Sequence, residues 1–334
     1  MKKSIYIFLV SVLIIIIIPA MIVLPFRKQT TRLHLPIIGQ QMGVQKKQTT
    51  QKDTPPTIAV YRSVSGVTEE IDLTNYLIGV VGSEMPARFP IEALKAQAMA
   101  ARTYILDRLQ EDPGARVTDT VQNQVYHSRA ELKKLWGDAY TWKIKKITRA
   151  VKETKNEVIT YNGHLIAPVF FSTSNGYTEN AEAYWSEAVP YLRSVASPWD
   201  QSSPKFRETK TIPAAAAAAA LGVTLSKQNG RVGQVVARTA SHHVSRFEIN
   251  GHPFTGREIR EKLALSSTDF VLTRKGDSII AQTVGSGHDV GMSQYGAAGM
   301  AKLGKTAKQI VTYYYSGTKV TTLTPQAELA LAKK

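Results

Sequence analysis

Residues 82–109 read GSEMPARFPIEALKAQAMAARTYILDRL, and this stretch decides how the chain folds. Ile91, Leu94, Ala98, Ala101, Ile105 and Leu109 recur at three- and four-residue spacing, so they form one apolar stripe on a helix. Pro90 stands where such a helix begins, since a first-turn proline gives up no needed hydrogen bond. Ala93, Ala96 and Ala100 keep the other faces small. A helix this narrow can be approached from several sides, which predicts a central position. Upstream, Asp72 or Thr74 can cap a shorter helix running through Val81. Met85 precedes Pro86 and is pushed toward extended geometry, so the Gly82–Pro86 segment is expected to be a turn between two helices. Glu84 sits in that turn.

Working outward, Thr57 to Val64 has strand character. Residues 158–161 and 164–166, joined by Asn162-Gly163, read as a hairpin with a type I′ turn. An apolar run from Leu165 to Phe171 enters a polar loop, Ser172 to Gly176. Pro213 and the alanines 214–220 start a helix. Strands are expected in Arg231 to Ile249, with Asn250-Gly251 as a turn, and in Phe270 to Thr273 and Ser278 to Val284. Thr255 and Glu258 have capping-box spacing. The pattern predicts a mixed α+β fold with two lobes around a groove. One lobe holds Glu84 and the Ile91 helix, and the other the strands around 231–284. The glycine-punctuated block 285–304 is expected to return to the groove near Glu84.

The chain has 334 residues and no cysteine, which excludes a disulfide scaffold, a thiolate nucleophile and zinc sites with Cys ligands. Its net charge is +16, and residues 1–57 carry eight Lys and Arg against Asp53 alone. Such an excess suits a polyanion: nucleic acid, anionic lipid or an anionic cell wall. No nucleic-acid recognition motif is present. Ser4 to Phe26 contains no charge. At about 1.5 Å per residue it reaches roughly 34 Å, enough to cross a bilayer. It is longer than a signal-peptide core and lacks an Ala-x-Ala end, so residues 1–26 are read as a cytoplasmic stub and uncleaved anchor. Residues 27–57 are a basic polar tether and 58–334 an extracytoplasmic domain.

Several residues could carry chemistry. Glu84 either projects into a cleft or is a surface carboxylate or a cap for the Ile91 helix. Lys95 and Arg102 share one helix face, aimed at Glu84, at a carboxylate-bearing substrate or at a structural anion. Ser172, Ser174, Asn175 and Tyr177 occupy a polar loop after a strand, a place that lines sites or simply turns the chain. Tyr184, Trp185 and Trp199 offer faces for sugar stacking or for the core. The block 285–296 includes His288, Asp289, Gln294 and Tyr295, but no phosphate-cradle or dinucleotide spacing. No second histidine stands at ligand spacing from His288, and the adjacent pair His242-His243 would point to opposite faces of a strand.

Gly82-Ser83-Glu84-Met85-Pro86, with Glu92-Ala93-Leu94-Lys95-Ala96-Gln97-Ala98-Met99-Ala100-Ala101-Arg102-Thr103-Tyr104, resembles the opening signature of the stage II sporulation protein D family. Pro190-Tyr191-Leu192, Ser197-Pro198-Trp199-Asp200, Phe254–Arg260 and Gly287–Gly296 are similar to its later blocks, in the same order. The resemblance spans roughly residues 58–320. It implies a lytic transglycosylase that cleaves peptidoglycan during forespore engulfment, anchored in the mother-cell membrane. It implies Glu84 as the catalytic acid and carries roles over to Lys95 and Arg102, placed here on the lactyl carboxylate of muramic acid or on a structural anion. Ser172, Ser174, Asn175, Tyr177, His288, Gln294 and Tyr295 are the further substrate-binding candidates, from the polar loop and the glycine-rich block themselves. The implied substrate is glycan stripped of stem peptides by an amidase partner, stage II sporulation protein P, with stage II sporulation protein M holding the assembly at the membrane. Clostridial relatives that bind zinc use a Cys-containing site. This chain has no cysteine, so no metal or other cofactor carries over and His127 lacks its partner. The broader family also includes non-catalytic enhancers of a wall amidase, a rival reading in which the groove only binds glycan.

Such chemistry needs one carboxyl that protonates the leaving oxygen and then, as carboxylate, takes the C6 hydroxyl proton. Its pKa must be raised, and Met85, Pro86 and Phe89 are candidates for the apolar surroundings. A hydrolase would need a second carboxylate. Glu92 is expected on the exposed side of its helix, and Asp200 or Asp289 would have to fold into the groove.

Overall fold

The computed structural model describes residues 56–112 and 114–333, all within one compact unit. The apolar run 4–26 and nearly all of the tether lie outside the described residues. Among the described residues, no helix is long and apolar enough to cross a membrane.

The Ile91–Glu111 helix is central. It packs against helices Leu73–Glu84, Tyr140–Glu153, Gln294–Lys302, Ala307–Tyr314 and Pro325–Lys333, and against strand Glu157–Tyr161. Its buried residues include Ala93, Ala96, Ala98, Ala100 and Ala101. Small side chains allow this close approach, and added methylenes in such contacts cost about 1–3 kcal/mol. Asp72 caps the preceding helix by accepting from the Asn75 N–H at 2.9 Å. That helix continues through Gly82, Ser83 and Glu84, so the expected turn is instead its last helical turn. The break falls at Met85, which is extended ahead of Pro86.

Around this core lie two small sheets. Thr57–Tyr61 pairs antiparallel with Thr68–Asp72 and parallel with Val117–Thr118. Glu157–Tyr161 pairs with Lys319–Thr322 and with His164–Leu165, the latter through Asn162 and Gly163, both at positive φ as a type I′ turn requires. Helices Arg129–Trp136 and Tyr140–Glu153 carry no assignment in the sequence analysis. Their apolar stripes are thin: Leu132 alone is buried in the first, and Ile147, Ala150 and Val151 in the second.

Residues 207–284 build a second core. Strands Arg207–Pro213, Ser278–Val284, Phe270–Lys275 and Gly230–Arg231 form one sheet, and Gln234–Arg238, Val244–Ile249 and His252–Thr255 another. Helices Ala214–Leu221 and Gly256–Lys262 close over a shared cluster that includes Leu221, Phe247, Ile259, Phe270, Leu272 and Ile279. The Thr255–Glu258 capping box forms as predicted. Gly256 is required there, because a Cβ would stand 1.8 Å from the Val244 carbonyl oxygen. The excursion starts and ends at one place, where the Gly285 N–H donates to the Phe206 carbonyl at 2.8 Å. The chain then returns to the first core, and Met292–Ser293 pairs parallel with Phe170–Phe171. The architecture is mixed α+β.

Candidate active site

Glu84 is the last residue of the Leu73–Glu84 helix. Its Oε1 accepts the Val125 N–H at 2.8 Å. Burial raises its carboxyl above the ordinary glutamate range, and the Val125 bond only partly opposes this. The helix C-terminus carries partial negative charge, which disfavours a carboxylate there as well. Ser83, one residue earlier, donates to the Gly79 carbonyl at 2.7 Å and lies 2.8 Å from His127 Nδ1. Tyr76 donates to Gln124 at 3.1 Å and stacks on Tyr126 at 5.7 Å. Residues 124–127 are therefore strapped across the helix that presents Glu84.

A cavity of about 480 Å³ opens beside it. Its lining comes from residues 82–88, from Trp136, Trp142 and Lys143, from Ser172 and Lys205, and from Gln294 and Tyr295. Met85 and Pro86 supply the expected apolar flank, while Phe89 lies behind it, edge-on to Tyr295 at 4.9 Å. Lys146 donates to the Phe89 carbonyl at 2.6 Å, tying the Tyr140–Glu153 helix to the cleft floor. Among the lining residues Glu84 is the sole carboxyl. None of them belongs to 207–284, so the cleft is built by the first core and not between the two lobes.

The other acids are accounted for elsewhere. Asp200 is fully buried and accepts from Ser174 N (3.0 Å) and Oγ (2.9 Å), Ser197 Oγ (2.5 Å) and Ser293 Oγ (2.5 Å). It fastens the 172–175 loop to the start of the Gln294–Lys302 helix, and so positions Ser172 and Gln294 without touching the cleft. Asp289 is also fully buried, its two oxygens have no hydrogen-bond partner among the described residues, and burial holds its carboxyl well above the usual range. Glu92 is half-buried rather than exposed, bonded to Lys95 at 2.8 Å and to the Ala307 N–H at 2.8 Å.

Of the residues singled out in the sequence, Glu84, Ser172, Gln294 and Tyr295 meet in the cleft. The others do not line it. Lys95 is held by Glu92 at 2.8 Å and Glu153 at 2.6 Å. Arg102 is 3% exposed and donates to the carbonyls of Thr154, Glu157 and Val151 at 2.5, 3.1 and 3.2 Å. Burial pulls its guanidinium down to about 10, against the opposing pull of Glu328 and Glu157. For both cations the structural partner replaces the expected substrate. Ser174 is spent on Asp200. Asn175 bonds Ser241 and Asp269 and lines a separate hollow with Arg207 and His242. Tyr177 is 42% exposed and lies edge-on to His242. His288 is enclosed by Phe171, Tyr184 and Trp185, and burial pulls it down to about 4, so it is a neutral imidazole in an aromatic nest. Arg88, Trp136, Trp142, Lys143 and Lys205 were not anticipated. The four outside residue 88 are separated from the Glu84 motif by 48 positions or more, and no periodicity links them. No group of metal-ligating side chains occurs among the described residues, and His127 faces Ser83.

Residues 61–161 match the family described as "Stage II sporulation protein". The chain is 47% identical to stage II sporulation protein D of Bacillus subtilis (strain 168), over 96% of each chain. This chain belongs to the stage II sporulation protein D family. It is also 44% identical to the Bacillus amyloliquefaciens protein of that name over the full length of both. The amidase enhancer of B. subtilis is 29% identical over 73% of this chain and 40% of its own. In this family member, then, the Glu-Met-Pro signature is a helix end that delivers one carboxyl, its pKa raised by burial, into a cationic, tryptophan-lined cleft.

Proposed function

We propose that this chain is a membrane-anchored lytic transglycosylase of sporulation, acting on stem-peptide-free peptidoglycan strands. The observation that supports it is the half-buried Glu84, the sole carboxyl among the cleft's lining residues, with its raised pKa. In the protonated state Glu84 gives its proton to the glycosidic oxygen between muramic acid and the next sugar, and the C1–O bond breaks. The resulting carboxylate takes the proton of the muramic acid C6 hydroxyl while O6 bonds to C1. The products are a 1,6-anhydro-muramic acid end and a free 4-hydroxyl end. No water is consumed, and Glu84 is again protonated. One carboxyl completes the cycle, where a hydrolase would need two.

The uncharged run 4–26 would anchor the chain in the mother-cell membrane with the N-terminus inside, and 27–57 would lift the domain toward the wall. Upstream removal of stem peptides falls to an amidase, stage II sporulation protein P, with stage II sporulation protein M as membrane scaffold. A second reading, glycan binding that enhances an amidase without cleavage, draws on the likeness to the amidase enhancer. Digestion of peptide-free strands in oxygen-18 water separates the cases. Unlabelled anhydro ends, absent with Glu84→Gln, are expected. Label at the new anomeric carbon means hydrolysis, and no new ends means an enhancer; either overturns the proposal.

A further inference from the structure

Arg88, Lys143 and Lys205 all line the Glu84 cleft, and none makes an ion pair with a described carboxylate. Two of the three are nevertheless held in place. The Lys143 ammonium lies 5.4 Å from the Trp136 ring centre and 5.8 Å from that of Trp142. Arg88 donates to the Tyr295 hydroxyl at 3.4 Å, and Tyr295 is itself wedged edge-on against Phe89. Aromatic partners fix a cation's position without neutralising its charge. A carboxylate partner, such as Lys95 has in Glu92 and Glu153, cancels it. The cleft therefore presents positive charge that no described carboxylate neutralises, beside an indole, Trp142, that is 48% exposed.

We propose that Arg88, Lys143 and Lys205 form the specificity site of the cleft, and that they read the free lactyl carboxylate of muramic acid. The inference rests on the transglycosylase reading and adds to it the basis of substrate choice. On an intact strand the lactyl group is an amide joined to the stem peptide and carries no charge at that point. Removing the peptide uncovers one carboxylate per disaccharide. A sugar face laid on Trp142 brings that carboxylate among the three cations, and charge-assisted bonds favour it over the amide. The selection is thus for the product of an amidase.

The test is a binding measurement on the full-length Glu84→Gln chain in detergent, which cannot turn the ligand over. The two probes are peptide-free strands with lactyl carboxylates and the same strands with those groups converted to carboxamides. We expect the carboxylate strands to bind about tenfold more tightly. The preference should fall to near parity when Arg88→Gln and Lys143→Gln are added, and severalfold with Lys205→Gln, which sits in an exposed turn where no fold is at risk. Lys143→Arg should keep it. Lys133→Gln with Lys134→Gln, exposed and outside the cleft, should leave it intact and so separate the site from the general positive charge. Equal affinity of the parent for both strands, or a preference unmoved by the cleft variants, overturns the inference. A lack of anhydro product from the unmutated enzyme would remove the transglycosylase reading and leave this measurement standing.

Discussion

Replacing Arg102 by methionine should destabilise the fold strongly and leave the chemistry of each folded molecule intact. The guanidinium donates to the Thr154, Glu157 and Val151 carbonyls. Two of these lie at the C-terminal end of the Tyr140–Glu153 helix, where the last carbonyls have no helical partner. Arg102 is thus an internal C-cap, supplied from a neighbouring helix and favoured by the helix dipole. Methionine fills similar volume but removes a charged donor from three carbonyls. Thr154 O keeps the Glu157 N–H at 3.1 Å and Val151 O the Thr154 hydroxyl at 3.3 Å, so the loss is that of charge-assisted bonds, about 1–3 kcal/mol each at most. It also takes from Glu328 the guanidinium 3.9 Å away, leaving it only the attraction of Lys155. Removing one partner from a buried charged network costs about 3–5 kcal/mol, which sets the scale. For a domain of this size each kcal/mol moves Tm by roughly 2–4 °C, so a drop on the order of 10 °C is expected. Arg102→Lys should fall between, since one ammonium cannot fork to three carbonyls. Thermal unfolding followed by circular dichroism gives the shift, and product release well below the transition gives activity per folded molecule. An unchanged Tm with abolished cleavage would place Arg102 on the substrate and refute this reasoning.

Gly79→Ala should impair Glu84 indirectly: its Cβ would fall 2.3 Å from Tyr126 Cε2 and 2.5 Å from the His127 carbonyl oxygen, pushing the strap that carries the Val125 N–H. Overpacking of this kind costs about 1–3 kcal/mol, and the cleavage rate should drop further than the lost stability explains, as unfolding and rate assays on one sample would show. The raised Glu84 pKa makes two linked pH predictions. The cleavage rate falls as pH rises through that pKa, because the acid form is lost. The folded state binds this proton more tightly than the unfolded chain, so wild-type stability is lost over the same rise. Glu84→Gln should therefore be the more stable protein at neutral pH, with an advantage that vanishes below the ordinary glutamate range; denaturant titrations giving a pH-independent difference would contradict it.

What the sequence made legible was local. The stripe from Ile91 to Leu109, the Asn162-Gly163 turn and the Thr255–Glu258 cap each rest on neighbours within a few residues, and each forms. The break beside Glu84 was legible in Met85-Pro86, but the helix was expected to stop at Val81 and instead runs through Glu84 itself. Periodicity could place Arg102 on a helix face but not say what that face meets, and its acceptors lie 49 to 55 residues away. His288 stood in the most polar, glycine-rich block of the chain, yet its ring is wrapped by three aromatics from residues 171–185. The reverse error hid the cleft's far wall. The Tyr140–Glu153 helix does carry a stripe, Tyr140, Ile144, Ile147 and Val151, that the sequence analysis leaves unassigned, and Trp142 lies off it, conspicuous only once it is seen exposed beside Glu84.

The same distinction explains how the cleft is held. Ser172 and Gln294 are far apart in sequence, and the whole 207–284 lobe intervenes between them. They reach one cavity because Asp200 gathers Ser174 and Ser293 on a single carboxylate, and because residues 206 and 285 are bonded across the root of the lobe. Thr173 and Ser286 add an antiparallel bridge just above that root. The lobe is thus an excursion from a closed loop, with a core of its own and no residue in the cleft. Packing that fixes Glu84 and its cations comes entirely from the first core. Glu84 is accordingly placed by short-range geometry at a helix end, while Ser172 and Gln294, which line the same cleft, are brought together by one buried aspartate from segments more than a hundred residues apart.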